Sequence, residues 1–353
     1  MTINNTEKEY TLNLQHPIPN TFGIKALAAV YAEYYSENAL REILRLHEYA
    51  HMPILHIGEG SNLLFLSNYT GIILRSCIKS IDVLYSDDES VQVRVGGGVN
   101  FDSFIAYALS QGWYGLENLS DIPGQVGASA VQNIGAYGIE AKDFIHRVEG
   151  ISLTDGSARQ WEAAECNYAY RQSIFKQQLK GQYAITYVTF RLHRAFQPQL
   201  FYGGIARAVE QAGYTESTLT AEQLREIIMD IRAKKLPNPS EQGSAGSFFM
   251  NPVVSMSRFQ SIQRLYPDMP YYEIGPEAVK IPAGWLIEQC GWKGRALGKA
   301  AVHHNQALVL VNIGDAEGKD ILQLSNAVSH DVQEKFGITL QPEVNFIGQV
   351  VEE

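Results

Sequence analysis

Cysteine is scarce in this 353-residue chain: Cys77, Cys166 and Cys290 lie far apart and form no CxxC or Cys…His ligand spacing. An odd, scattered set excludes a disulfide framework and makes a reducing cytosol the natural compartment. Long apolar runs are missing too. No window approaches the ~18 consecutive apolar residues of a membrane span, and even the run from Ala307 to Val311 stops at Asn312. The segment from Met1 to Leu14 is polar with both charge signs, so it lacks the basic flank and apolar core of a secretory signal and is expected to be loose. Basic residues are in deficit: 28 Lys plus Arg against 38 Asp plus Glu give a net charge of −10, which argues against a nucleic-acid or anionic-membrane partner. There is no GxxxxGK[ST] phosphate loop, no HExxH zinc motif and no GxSxG elbow, so no metal is called for. Gly58 and Gly60 are followed by Ser61, Asn62 and Leu63, not by a full GxGxxG, which leaves a standard dinucleotide fold unsupported.

What is present is the composition of an ordinary globular core, 45% apolar and 19% charged. At roughly 100–200 residues per domain, two or three domains are expected. Leu40, Ile43 and Leu44 predict a helix within 38–50 after Ser36, and Pro53 to Ile57 reads as a buried strand. Leu63 to Leu66 and Gly71 to Arg75 have extended character. Val91, Val93 and Val95 alternate with polar residues before Gly96-Gly97-Gly98. Asn100 can cap a helix carrying Phe101, Phe104, Ile105 and Leu109, which Gly112 ends. Strand-like pieces such as Tyr183 to Phe190 predict a sheet between about 144 and 192. Thr220 and Gln223 have capping-box spacing ahead of a Leu224, Ile227, Ile228, Ile231 stripe that Pro237 terminates, and Pro237-Asn238-Pro239-Ser240 is the expected domain boundary. A late helix carries Ile321, Leu324, Val328 and Val332, ends near Gly337 and hands over to a strand around Glu343 to Ile347.

Small residues crowd the positions after strands. Gly58-Glu59-Gly60-Ser61-Asn62 is one such loop, and the stretch from Ile122 to Gly138 carries Gly124, Gly127, Gly135 and Gly138. Glycine lets main chain approach a ligand, and consecutive N–H groups form anion-binding nests, so paired glycine loops suit a pyrophosphate. Tight turns in a glycine-rich sheet protein give the same composition. Taken in order, these loops resemble those of the UDP-N-acetylenolpyruvoylglucosamine reductase family, flavoenzymes that make UDP-N-acetylmuramate for bacterial peptidoglycan. The resemblance covers nearly the whole chain. It runs through Asn20 to Ile24, Gly58 to Asn62, Ile122 to Gly138, Tyr170 to Lys176, Lys235-Leu236-Pro237, Gly246 to Pro252, Ala283 to Ile287 and Pro342-Glu343-Val344.

This resemblance implies an α+β fold of three domains. Two are FAD-binding domains of the vanillyl-alcohol-oxidase (PCMH) type, at 17–77 and at 78–236 with 338–353, and the third, 237–337, is a C-terminal substrate-binding α+β domain. It implies noncovalent FAD, NADPH as hydride donor, a small nucleotide-sugar substrate, a cytoplasmic location and a monomer. The cofactor residues carried over are Gly58, Glu59, Gly60, Ser61, Asn62, Pro123, Gly124, Gly127, Ala128, Ser129, Gln132, Asn133, Gly135, Ala136, Tyr137 and Gly138. Arg171, Ser247 and Glu343 match the catalytic positions. The segment Gln199-Leu200-Phe201-Tyr202-Gly203 resembles the loop of the longer subtype, whose tyrosine, here Tyr202, reaches the UDP diphosphate. Tyr170, Lys235, Asn251 and Gln289 are carried over as further substrate contacts. Gln125 departs from the family, where cysteine is frequent, and is expected to change packing near FAD more than chemistry.

The residue types suit that reaction. Hydride addition to an enolpyruvyl ether needs the carboxylate to absorb charge, and an arginine fork is the natural stabiliser. A serine on a glycine turn can donate a proton to the alpha carbon, although such serines also cap helices. Glu343 could share the carboxylate's field with Arg171 if burial raises its pKa. Two other functions compete. An FAD oxidase of the same fold acting on an alcohol predicts a covalent His or Cys tether, or a basic pair in place of Ser247 and Glu343. A non-catalytic nucleotide-sugar binding protein predicts loss of Arg171, Ser247 or Glu343, and all three are present.

Overall fold

The computed structural model describes residues 9–202, 204–238 and 241–350, with the backbone of residues 2–3. Contacts divide the chain into two compact units. The first comprises the residues up to Ile18, Leu27–Glu59 and Tyr69–Arg232, and the second Pro19–Ala26, Gly60–Asn68 and the residues from Ala233. The division falls inside the helix Ala221–Lys235, ahead of the expected boundary at Pro237. Pro239 and Ser240 of that boundary lie outside the described residues.

In the first unit, one mixed sheet has the order Thr2–Ile3, Tyr10–Pro17, Leu27–Tyr34, Tyr69–Ser76, Ile54–Ile57. Leu27–Tyr34 and Ile54–Ile57 both run parallel to Tyr69–Ser76. Tyr10–Pro17 pairs antiparallel with Leu27–Tyr34, from Tyr10 opposite Tyr34 to Pro17 opposite Leu27. The expectation of a loose segment to Leu14 is therefore corrected from Tyr10 onward. Charge ends at Glu9, and Tyr10, Leu12 and Leu14 alternate with polar residues, with Tyr10 and Leu12 packed into the core. Residues 1 and 4–8 lie outside the described residues. Ile54–Ile57 is a half-buried edge strand, not a buried one, because a short apolar run does not say how many neighbours a strand has.

Ser36 caps the helix Glu37–Leu44, its hydroxyl accepting from Ala39 N at 3.2 Å. A second sheet, wholly antiparallel, has the order Ala158–Glu162, Ile145–Ser152, Tyr183–His193, Ser90–Gly96, Ile81–Ser86. Val91, Val93 and Val95 point to one face and are completely buried with Phe104, Phe190 and Trp161. Asn100 caps Phe101–Ser110 by accepting from Ser103 N at 3.0 Å, and the Thr220–Gln223 capping box forms in both directions. Ile151 and Ala184 of the second sheet pack in the same core as Val30, Tyr34 and Leu40 of the first sheet and its helix. That shared core explains why the two sheets form one unit.

The second unit holds a four-stranded sheet, Ser244–Ser247, Val309–Asn312, Ala300–Val302 and Ala296–Leu297, and a three-stranded sheet of Val253–Ser255, Ala278–Lys280 and Tyr272–Gly275. Its long helix, Gly318–Phe336, buries Ile321, Leu324, Val328 and Val332 and ends at the left-handed Gly337. Asn345–Ile347 pairs in parallel with Leu63–Phe65. Among the described residues, no helix is long and apolar enough to cross a membrane.

Candidate active site

The cofactor residues expected from sequence divide between the units: Gly58, Glu59 and everything from Pro123 to Gly138 belong to the first, Gly60, Ser61 and Asn62 to the second. In the first unit the Glu59 carboxylate accepts from Asn100 Nδ2 at 3.1 and 3.2 Å and from Gly124 N at 3.1 Å. The same asparagine caps a helix, so one acid ties the 58–59 turn, the helix start and the proline-glycine loop together. Gly127 N donates to Gly97 O at 3.0 Å and Val126 N to Val99 O at 2.9 Å. A Cβ at Gly97 would lie 2.5 Å from the Ile185 carbonyl oxygen, and one at Gly127 would lie 3.2 Å from that oxygen and 3.3 Å from Gly97 O. The close approach of three backbone segments requires glycine at Gly97. The result is a close-packed bed of main chain with few side chains, in which the amide hydrogens of Gly124, Val126 and Gly127 are engaged by Glu59, Val99 and Gly97.

Gln125 is buried beneath this bed, where its Nε2 donates to Ser76 O at 3.3 Å and Gly98 O at 3.2 Å. Val126–Gln132 is a short helix that the sequence pattern did not reveal, since Gly127, Ala128 and Ser129 give it no apolar stripe. Ser129 donates to Val126 O at 2.7 Å, Gln132 Oε1 accepts from Lys176 Nζ at 2.9 Å, and Pro123 is exposed. Gly135–Ala136 and Ile139–Glu140 form a small hairpin, with Tyr137 (φ 50°) and Gly138 (φ 85°) at its turn. Asn118, which sequence reasoning missed, is buried there, and its Nδ2 donates to Tyr137 O at 3.1 Å and to Gln199 O at 2.9 Å. A Cβ at Gly138 would meet the Phe201 ring at 3.1 Å and Tyr202 Cβ at 3.2 Å. The structure thus brings Tyr202 against the 135–138 hairpin. Gly203 lies outside the described residues.

Arg171 also sits in the first unit. Ala169 and Gln172 exchange backbone hydrogen bonds of 3.1 and 2.9 Å, leaving Tyr170 and Arg171 as the two central residues of a tight turn. Arg171 has a left-handed backbone, φ 55°, and its Nη2 donates to Gly135 O at 2.8 Å. Its guanidinium carbon lies 5.5 Å from the Tyr170 ring centroid, within cation–π range.

Ser247 and Glu343 sit together in the second unit. Ser247 ends its strand opposite Val309, after a bulge that includes the left-handed Gly246 (φ 67°). The chain continues antiparallel to 341–343: Glu343 N donates to Phe248 O at 2.8 Å, Phe249 bridges Pro342, and Met250 N donates to Gln341 O at 2.9 Å. Ser247 is therefore one residue from the position that pairs with Glu343. Asn62 Nδ2 donates to the Glu343 carbonyl at 3.2 Å, so this expected cofactor residue braces an expected catalytic one. At Gly60, a Cβ would fall on the Pro19 carbonyl. Asn251 Oδ1 accepts from Ala283 N at 2.9 Å, at the start of the helix whose last residue is Gln289. Lys235 is exposed at the end of its helix. Burial raises the pKa of all three thiols, Cys166 to about 11, so none is an activated nucleophile for a flavin tether.

Fold and glycine loops define a flavoprotein: residues 28–161 match the family described as an FAD binding domain, and the fold is of the vanillyl-alcohol-oxidase (PCMH) type. Residues 238–347 match the C-terminal domain of UDP-N-acetylenolpyruvoylglucosamine reductase. The curated reductase of that name from Bacteroides fragilis is 51% identical over 341 residues, 97% of this chain and 100% of its own length. Its counterpart from Porphyromonas gingivalis is 45% identical, covering 93% of this chain and 96% of its own. The chain belongs to the UDP-N-acetylenolpyruvoylglucosamine reductase family. The crystal structure of the Thermus caldophilus reductase shares the fold, with a TM-score of 0.64, 23% identity and coverage of 96% of this chain and 98% of that one.

Proposed function

We propose that the protein reduces UDP-N-acetylglucosamine enolpyruvate to UDP-N-acetylmuramate, using NADPH and noncovalent FAD, in the synthesis of cell-wall precursors. The observation that carries the reading is the placement of Ser247 and Glu343 on neighbouring rungs of one strand pairing in a chain of this family. When bound on the bed formed by Gly97, Gly124 and Gly127, FAD supplies a two-electron relay between NADPH and the enolpyruvyl group.

Hydride adds to the methylene carbon, and the displaced π electrons enter the carboxylate as an enolate. Arg171 holds that carboxylate with its planar, permanently charged fork. Ser247 gives its hydroxyl proton to the alpha carbon, which completes the reduction, and Glu343 shares the carboxylate's field with Arg171. Tyr202 donates to the UDP diphosphate while its ring covers the site. Tyr170, Lys235, Asn251 and Gln289 complete the substrate and nicotinamide contacts, Asn251 through its NH₂ because its oxygen accepts from Ala283 N.

In this reading residues 17–77 and 78–236 with 338–353 are the FAD-binding subdomains, and 237–337 serves the substrate. The protein acts as a cytoplasmic monomer on a small nucleotide sugar, with no nucleic-acid or membrane partner. The oxidase alternative is disfavoured by thiols whose pKa is raised and by the presence of Ser247 and Glu343. Incubation with NADPH and UDP-N-acetylglucosamine enolpyruvate tests the reading. Stoichiometric NADPH loss and a product heavier by two hydrogens by mass spectrometry are expected. NADPH loss without that product, or oxygen-dependent oxidation of an alcohol, would replace it.

A further inference from the structure

The Asn133 side chain, which the family resemblance implies is a cofactor contact, is turned into the protein. It occupies the left-handed C-cap of Val126–Gln132, with φ 45° and ψ 59°, and is fully buried. Its Nδ2 donates to the Ala169 carbonyl at 2.9 Å and to Glu140 Oε2 at 3.1 Å, and its Oδ1 accepts from Lys142 N at 3.0 Å. An asparagine amide has two N–H donors, and both are engaged.

The Ala169 carbonyl is the base of the turn that presents Tyr170 and Arg171, and it also accepts from Gln172 N at 2.9 Å. Arg171 holds φ 55°, a left-handed conformation that is strained for a residue with a Cβ and persists only where surrounding contacts over-determine it. Several such contacts come from one segment. Asn133 holds the base of the turn, Gly135 O accepts from the guanidinium at 2.8 Å, and Val131 O accepts from Ser173 Oγ at 2.6 Å. Lys176 Nζ reaches Gln132 Oε1 at 2.9 Å. The head group of Arg171 and the residues on either side of it, Ala169 and Ser173, are all fastened to residues 131–135.

We propose that Asn133 is a positioning residue for Arg171: it fixes the Ala169 carbonyl and so sets the turn that aims the guanidinium at the substrate carboxylate. This rests on the role of Arg171 proposed above. Asparagine suits the position because it tolerates a left-handed backbone and supplies donors toward two oxygens. Aspartate has the same shape but offers acceptors toward Ala169 O and Glu140, which are acceptors themselves.

The test is Asn133→Asp in the holoenzyme, with the two half-reactions followed separately by stopped-flow flavin absorbance. FAD content and reduction by NADPH are expected to stay nearly unchanged. Reoxidation by the enolpyruvyl substrate is expected to fall roughly 10- to 100-fold, the scale of a misplacement near 1 Å. In an Arg171→Lys background, the same change is expected to cost nothing further, because its effect passes through Arg171. If Asn133→Asp does not fold, Asn133→Gly, which suits the backbone and adds no charge, is measured with the same expectation. Loss of FAD, equal slowing of both half-reactions, an unchanged reoxidation rate, or full additivity with Arg171→Lys would overturn the proposal. Failure of the proposed function itself would show in the unsubstituted protein, as flavin that NADPH does not bleach or substrate does not reoxidise.

Discussion

Replacing Ser247 by alanine removes a hydroxyl at a strand end and leaves the backbone pairing with Val309 in place. With Ser247 as the proton donor, Ser247→Ala is expected to leave flavin reduction by NADPH intact and to slow reoxidation by substrate by ~10²–10⁴. Equal slowing of both steps in stopped flow would instead mark Ser247 as structural. Tyr202→Phe keeps the ring and removes one hydrogen bond to a charged diphosphate, worth about 1.5–3 kcal/mol. Calorimetry should show UDP-sugar affinity weaker by roughly one to two decades with NADPH reduction unaffected, and unchanged affinity would return Tyr202 to a packing role. At this scale the sequence offers candidates where residues stand in recognisable motifs, as Arg171, Ser247 and Glu343 do. It was not legible where a role depends on what lies across a loop. Asn118 joins Tyr137 to Gln199 over a long stretch of chain, and Asn62 braces Glu343 from the other end of the sequence. No local pattern encodes either.

Elements with end signals were read correctly: Ser36, Asn100, the Thr220–Gln223 box and Gly337 each bound the helix expected of them. Elements without such signals were missed or misread. Val126–Gln132 is built from small residues, and Tyr10–Pro17 was hidden by the charged residues before it. Two predictions belong here. Gly→Ala within a helix ordinarily stabilises by about 0.5–1 kcal/mol. At Gly318, at the start of Gly318–Phe336, a Cβ would fall on the Phe65 carbonyl, so Gly318→Ala is expected to destabilise by roughly 1–3 kcal/mol in denaturant melts, and a gain would contradict this packing.

The second concerns His56 on the Ile54–Ile57 strand, whose Nε2 lies 2.8 Å from the buried Tyr34 hydroxyl. Burial lowers its pKa from 6.5 to about 4. The folded state therefore binds fewer protons than the unfolded state between those values, and stability falls as pH drops through that window and is fully present above it. The loss is on the order of 3 kcal/mol. His56→Gln, which retains a partner for Tyr34, is expected to lessen the fall in Tm between about pH 7 and about pH 4, and an unchanged slope would place the acid sensitivity elsewhere.

For the molecule as a whole, composition foretold a globular chain, and the family resemblance carried by the matched loops implied the α+β fold and FAD. The way the chain is partitioned was harder to read, because Pro19–Ala26 and Gly60–Asn68 belong with the C-terminal residues and the two sheets of the first unit share a core through Ile151 and Ala184. Long-range packing of that kind leaves no local signal in sequence. With FAD on the main-chain bed of Gly97, Gly124 and Gly127, Gly124→Asp, which adds a side chain and a negative charge there, should weaken FAD binding. The most direct test of the account is the visible spectrum of the purified protein as NADPH and then UDP-N-acetylglucosamine enolpyruvate are added without oxygen. The account predicts a yellow protein that releases FAD on heat or acid, is bleached by NADPH and regains its colour with the substrate. A colourless protein that cannot be reconstituted with FAD, or a bleached flavin that the substrate leaves reduced, would contradict it.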